Sequence, residues 1–137
     1  MEQMTQVQLV DLLNRQGPYW LVDVDLSGLS MRNKDLKMAD FSGSKMVGLD
    51  LRNCELNGAN FNGVDLTGAN LANAKLLYAK FQNAVVAECY LQGATLTGAI
   101  LFGANLRKAN LKGANIMDAN FEGAQFGETI MPDGSLR

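Results

Sequence analysis

Residues 58–76 read GANFNGVDLTGANLANAKL, and an apolar residue recurs there at every fifth position: Phe61, Leu66, Leu71 and Leu76. The phase continues in both directions without a break from Leu21 to Met131, and all 23 positions in it are apolar. At an apolar content of 47%, chance gives such a run with a probability on the order of 10^-8. The pattern is therefore structural and not a by-product of composition. Two residues before each centre the side chain is small: Ala fills 13 of these positions, and Cys54 and Cys89 fill two more. Two residues after each centre, from Asp23 to Glu128, Gly stands at 11 of 22 positions and Asn at four, so 11 of the 14 glycines share one phase.

A helix turns about 100° per residue, so a five-residue repeat would scatter its centres around the cylinder. A straight strand alternates faces with period two, and an odd repeat would send successive centres to opposite sides. Every centre points inward only if the chain turns a corner once per five residues. Gly and Asn, which tolerate φ > 0, supply those corners. Phe41, Phe61, Phe81 and Phe121 lie at spacings that are multiples of twenty, which sets four sides per coil and predicts a column of rings at the ~4.8 Å strand spacing. Residues 21–131 then make five to six coils, a rod of roughly 25 Å plus caps.

These segments, together with GANLRKANLKGANIMDANFEGA over residues 103–124, resemble the pentapeptide-repeat family, whose loose pattern is A-(D/N)-L-x-x. The resemblance implies an all-β solenoid, a right-handed quadrilateral β-helix. The ending TIMPDG, residues 129–134, is similar to endings common in the cyanobacterial members. Solenoid ends need covering, because unpaired edges invite association. Thr5 with Gln8 fits a capping box, Val7, Leu9, Val10, Leu12 and Leu13 offer an apolar stripe, and Gly17-Pro18 reads as a stop. A short N-terminal capping α-helix is thus predicted from about Thr5 to Gln16, laid over the first coil beside Tyr19 and Trp20. The expected organisation is a cap over 1–18, the repeat over 19–131 and a C-terminal tail over 132–137, with Pro132-Asp133-Gly134 as the turn that ends the repeat.

The chain has 137 residues, a net charge of -2 and no histidine. It lacks the usual neutral-pH base, triad member and zinc ligand, and it has no basic block to follow a phosphate backbone. The reading is a non-enzymatic protein without cofactor or metal, without direct nucleic-acid binding and without membrane insertion. The N-terminus has no basic, apolar leader pattern, and a cytoplasmic location is expected. Cys54 and Cys89 fall on different sides nearly two coils apart, beyond disulfide reach, and read as small buried thiols. Asp23, Asp25, Ser27 and Gly28 open like a calcium loop, but Lys34 stands where a bidentate Glu is needed. Lys34 also falls in an inward phase, where an unpaired ammonium is too costly. The expectation is local distortion that lets it reach solvent, the alternative being a pair with Asp35 or Asp11. The column Asp25, Lys45, Asp65 alternates in sign and is expected to form a surface ladder. The series Asn60, Asn70, Asn105, Asn110, Asn115 and Asn120 is ordinary filler for the repeat.

Some outward positions are apolar although the repeat does not require it: Leu77, Tyr78, Val85, Tyr90, Ile100, Phe102 and Met117. Leu77, Tyr78, Ile100 and Phe102 are the candidate partner-binding residues, a shared edge between one side and the next. The function expected is a protein-protein interaction or scaffold module whose partner is an unidentified protein. The chain is expected to be a monomer, with an end-to-end dimer as the alternative. The second functional reading is a DNA-mimic regulator of DNA gyrase or topoisomerase, as the resemblance to the quinolone-resistance group implies. That group combines strong surface negativity with C-terminal dimerisation, whereas residues 23–65 here carry seven acids against five bases.

Overall fold

The computed structural model describes residues 1–137. Backbone pairing repeats every twenty residues: parallel bridges join Trp20 to Asp40, Asp25 to Lys45, and so on to Asn110 with Ile130. The rod is four-sided, as the sequence predicts. The side around Phe61 is typical. Asn60 N donates to Ala39 O at 2.9 Å, Phe61 N to Lys80 O at 2.7 Å and Gly63 N to Gln82 O at 3.0 Å, and Val64 N closes the corner onto Phe61 O at 3.1 Å. Each side pairs through a single bridged residue, so the sheet faces are narrow and the corners make up much of the molecule.

Every position two residues after a centre, from Asp23 to Glu128, has a positive φ, between 53° and 74°. With the bond across the corner, this is the signature of a type II turn. Half of the corners carry a side chain, at a cost of roughly 1–2 kcal/mol each for an L-residue in this region. A second constraint acts on some glycines, because a large corner side chain leans onto the glycine one coil on. A Cβ at Gly98 would lie 2.5 Å from Tyr78 Cε1, and Met38 Sδ occupies the corresponding place at Gly58, whereas Gly63 has nothing within 4 Å. Gly63→Ala is expected to cost about 1 kcal/mol through φ alone, and Gly98→Ala about 1 kcal/mol more because the Tyr78 ring must move. Urea unfolding of the pair checks the difference.

The centres from Leu21 to Leu111 are at most 2% exposed, and the small residues between them are buried with them. Phe41, Phe61 and Phe81 stack, with centroids 5.1 Å and 4.8 Å apart and rings inclined by 14° and 7°. The fourth ring departs from expectation. Leu101 interrupts the column, and Phe121, near the end of the rod, instead meets Phe126 at 5.8 Å and 51°. The polar members of the small-residue phase share one role. Ser44, Cys54, Cys89 and Thr129 each donate to the carbonyl of the centre 23 residues earlier: Leu21, Met31, Leu66 and Leu106. Both cysteines are free and buried. Burial pushes the thiols up to about 11 for Cys54 and about 12 for Cys89, which keeps them protonated as donors.

At the N-terminus, helix α1 spans Gln6–Leu13, with Thr5 as N-cap and the capping box to Gln8 closed in both directions. The helix ends before Gln16. The single Tyr19 Oη proton is shared between the carbonyls of Arg15 at 2.7 Å and Leu13 at 3.1 Å, where the chain leaves the helix. Leu9 is fully buried within the core cluster, while Val7 is 80% exposed, so the buried stripe is narrower than predicted. The first coil's edge is satisfied by side chains: Gln6 pairs with both the N–H and the carbonyl of Ser30 at 2.9 and 3.0 Å, and Met4 N donates to Asp25 O at 2.9 Å. At the other end Gly134 turns the chain back, Ile130 pairs antiparallel with Leu136, and the Arg137 guanidinium lies 3.9 Å from the Phe126 centroid. Lys34 is exposed and makes no ion pair. The Lys34 N to Met31 O corner bond is missing, and Met31 O accepts from the Cys54 thiol instead.

Candidate functional site

The outer surface is set by the residue just before each centre. Where it is Asp or Asn, its side-chain oxygen accepts from the N–H two residues on, as at Asp25, Asp65, Asn70, Asn105 and Asn120. This is an Asx turn, and it gives the Asn series a structural role at each corner. It also corrects the ladder expected at Asp25, Lys45 and Asp65. No ion pair forms there; the two carboxylates accept from the N–H groups of Ser27 and Thr67. Ion pairs of the coil form on two other sides: Lys37 to Asp35 at 3.5 Å and to Glu55 at 3.6 Å with Lys75 to Glu55 at 3.8 Å on one, and Arg52 to Asp50 at 2.9 Å on the next.

Hydrogen bonds hold the carboxyls of Asp25 and Asp50 below their usual range: Asp25 accepts from Ser27, and Asp50 binds Arg52 at 2.9 Å. A carboxyl lowered in the fold contributes stability above its unfolded value, and that contribution is lost as pH falls. Thermal midpoints are therefore expected to stay level toward neutral pH and to drop below the unfolded value of 3.8.

Besides the Asx turn there is a second remedy, an acceptor one coil back, as Ser27 Oγ is for Val47 N at 3.2 Å. Leu77 N and Gln82 N, which follow Lys75 and Lys80, donate to Asn57 and Asn62 one coil back at 3.0 and 2.8 Å. The next coil has neither remedy, since the residues before its centres are Val85, Tyr90, Thr95 and Ile100. Between Lys80 and Arg107 the only charged residue is Glu88. A belt nearly free of charge thus encircles the rod, with Tyr90 50% and Phe102 43% exposed on it.

The four candidate residues divide. Leu77 is half-buried, and the Tyr78 ring is 66% exposed and reaches up over Gly98. These two line a depression of about 440 Å3 with Met38, Gly58, Lys37 and Lys80. Ile100 and Phe102 do not line it. They lie on the following side, in the charge-poor belt. Sequence reasoning missed Met38, which is 65% exposed, and the signal was available in the corner phase read at twenty-residue spacing: Pro18, Met38, Gly58, Tyr78, Gly98. No group of three or more acids or cysteines is close enough to hold a metal ion, and no helix is long and apolar enough to cross a membrane.

A family model described as pentapeptide repeats matches as eight copies over residues 21–58, 51–86, 79–116 and 101–133. Among solved structures, the chain is similar to a pentapeptide repeat protein from the cyanobacterium Cyanothece 51142, at 24% identity and TM-score 0.56 over 86% of this chain and 67% of that one. It is also similar to a pentapeptide repeat protein from the Arabidopsis thaliana thylakoid lumen, at 31% identity and TM-score 0.50 over 82% and 68%. A third likeness, at 28% identity and TM-score 0.41 over 88% and 73%, is to HetL of Nostoc, a pentapeptide repeat protein involved in heterocyst differentiation regulation. No curated protein matches the sequence.

Proposed function

Because this chain belongs to the pentapeptide-repeat family, we propose that it is a non-enzymatic binding or scaffold module that offers a stiff, flat-sided surface to another protein. Membership also supports the right hand of the coil, and the burial of Leu9 with the bonds between Gln6 and Ser30 supports a capping role for α1. The observation that carries the functional reading is the charge-poor belt, with Ile100 and Phe102 at outward positions where the coil below has Lys80 and Gln82. The core does not require apolar residues there, and solenoids vary such positions without disturbing the fold. Clustered aromatic anchors dominate interface energies. We assign the protein to the cytosol as a monomer, with end-to-end dimerisation as the alternative. The two free, buried thiols support the compartment.

The test compares proteins retained from a native lysate by the wild type and by Ile100→Ser with Phe102→Ser. The double variant is expected to keep its stability within about 1 kcal/mol and to lose a protein that the wild type retains. Identical retained sets would remove the belt from the account. The alternative, a DNA-mimic regulator of gyrase or topoisomerase, calls for strong surface negativity. Residues 1–80 carry nine acids and eight bases, an even balance that speaks against it. No inhibition of gyrase supercoiling is expected at concentrations of about 10 μM, and potent inhibition would reverse the preference.

A further inference from the structure

The corner that carries Pro18, Met38, Gly58 and Tyr78 runs along the rod axis, one residue per coil. Two depressions lie on it, of about 390 and about 440 Å3, and they share Lys37 and Met38. Together they form a groove that begins at Pro18 and Tyr19 and ends at Tyr78. Large and absent side chains alternate along it: Met38 leans onto Gly58, and Tyr78 leans onto Gly98. Three coil steps of ~4.8 Å give a length of roughly 14 Å, enough for about four residues of extended chain.

The rim determines what such a groove accepts. The Pro18 end is lined by Asp35 as well as Lys37, whereas around the Tyr78 depression there are two lysines and no acid, so a ligand carboxylate is accepted at the Tyr78 end. Lys37 is neutralised by Asp35 and Glu55, whereas Lys80 is exposed and has no ion-pair partner. Beneath the rim the surface is thioether, aliphatic and aromatic: Met38, Leu77 and the Tyr78 ring. We propose that this groove binds a short, extended, acidic peptide segment of a partner protein, seating one apolar side chain between Met38 and Tyr78 and one carboxylate on Lys80. Met adapts to varied apolar side chains, Tyr supplies a rigid face, and the rim cation selects the sign of the partner. The proposal rests on the reading of the protein as a binding module, but it uses a different surface from the Ile100 and Phe102 belt.

The probe is a fluorescein-labelled hexapeptide, Glu-Leu-Glu-Phe-Glu-Glu, followed by anisotropy at low salt beside Lys-Leu-Lys-Phe-Lys-Lys and Glu-Gly-Glu-Gly-Glu-Glu. Saturable binding of the first is expected at tens of micromolar, with each control at least about tenfold weaker. Lys80→Glu, a change at an exposed side chain, is expected to weaken the acidic peptide about tenfold, and Met38→Ser to do the same. Ile100→Ser with Phe102→Ser is expected to leave it unchanged. No saturation up to about 1 mM, equal binding of the lysine peptide, or indifference to Lys80→Glu would each overturn the groove. If the groove fails while the belt variant still loses its partner from a lysate, the binding-module reading stands without it.

Discussion

Phe61→Ala is expected to lower stability by about 3 to 5 kcal/mol, among the larger losses available to a single substitution here. Phe61 is the middle ring of the stack, with neighbours at 5.1 and 4.8 Å, and it is fully buried. Its removal opens a cavity in a rod whose hydrogen-bonded coils cannot close inward, and it ends two aromatic contacts at once. Each such pair contributes about 0.5 to 1.5 kcal/mol beyond burial. Phe121→Ala serves as the internal comparison. That ring sits near the end of the rod, half-buried and tilted on Phe126, and its loss is expected to cost about half as much. Urea midpoints of the two variants check the order, and equal losses would mean that the stack carries no special weight.

The second large effect is expected at the N-terminal end. Leu9→Ala withdraws the fully buried side chain that α1 lowers onto the first coil, at a cost of about 2 to 5 kcal/mol. An eight-residue helix is marginal by itself in water, so losing this contact is expected to release the helix and expose the apolar end of the coil. Val7→Ala, two residues earlier on the opposite face of the helix and 80% exposed, is expected to change stability by under about 0.5 kcal/mol. Circular dichroism supplies the second readout, because Leu9→Ala should lose helical signal at temperatures where the β contribution persists. Loss of both signals together would show that helix and coil unfold as one unit.

The square coil was legible because its instructions are local and repeated. An inward centre every five residues and a φ > 0 residue after it recur through 22 corners, with a small residue before most centres, and a single misread residue cannot displace the pattern. Thr5 and Gln8 were equally legible, since a capping box spans four residues. The misreadings concern contacts that a column alone does not determine. Asp25, Lys45 and Asp65 stack as the spacing requires, yet the two carboxylates form Asx turns and no ion pair with Lys45, whereas Asp35 and Asp50 each hold an Asx turn and a cation from two residues on. Phe121 occupies the correct column, but Leu101 separates it from the three-ring stack. Lys34, by contrast, reaches solvent as expected: its carbonyl stays in the ladder, accepting from Glu55 N at 3.0 Å, while its side chain leaves the core. For the site, Tyr78 and Phe102 stood out as apolar residues at outward phases. Met38 did not, because its partner across the groove is forty residues away and the corner between them is a glycine.

The most direct test of the account is amide hydrogen exchange read residue by residue. Protection is expected with period five from Leu36 to Ala114, strong at each centre and at the residues one before, two after and three after it, whereas the amides of Ile116, Phe121 and Phe126, which have no coil above to accept from them, should exchange faster. The amide just after each centre should be protected where an Asx or a neighbouring coil accepts from it, as at Ala72 and Leu77. The same amide should exchange fast at Ala87, Gln92, Thr97 and Phe102, which have no such acceptor. Protection without the five-residue period, or a slip of its phase anywhere between those limits, would contradict the four-sided coil and with it the assignment of Tyr78, Ile100 and Phe102 to the outer surface.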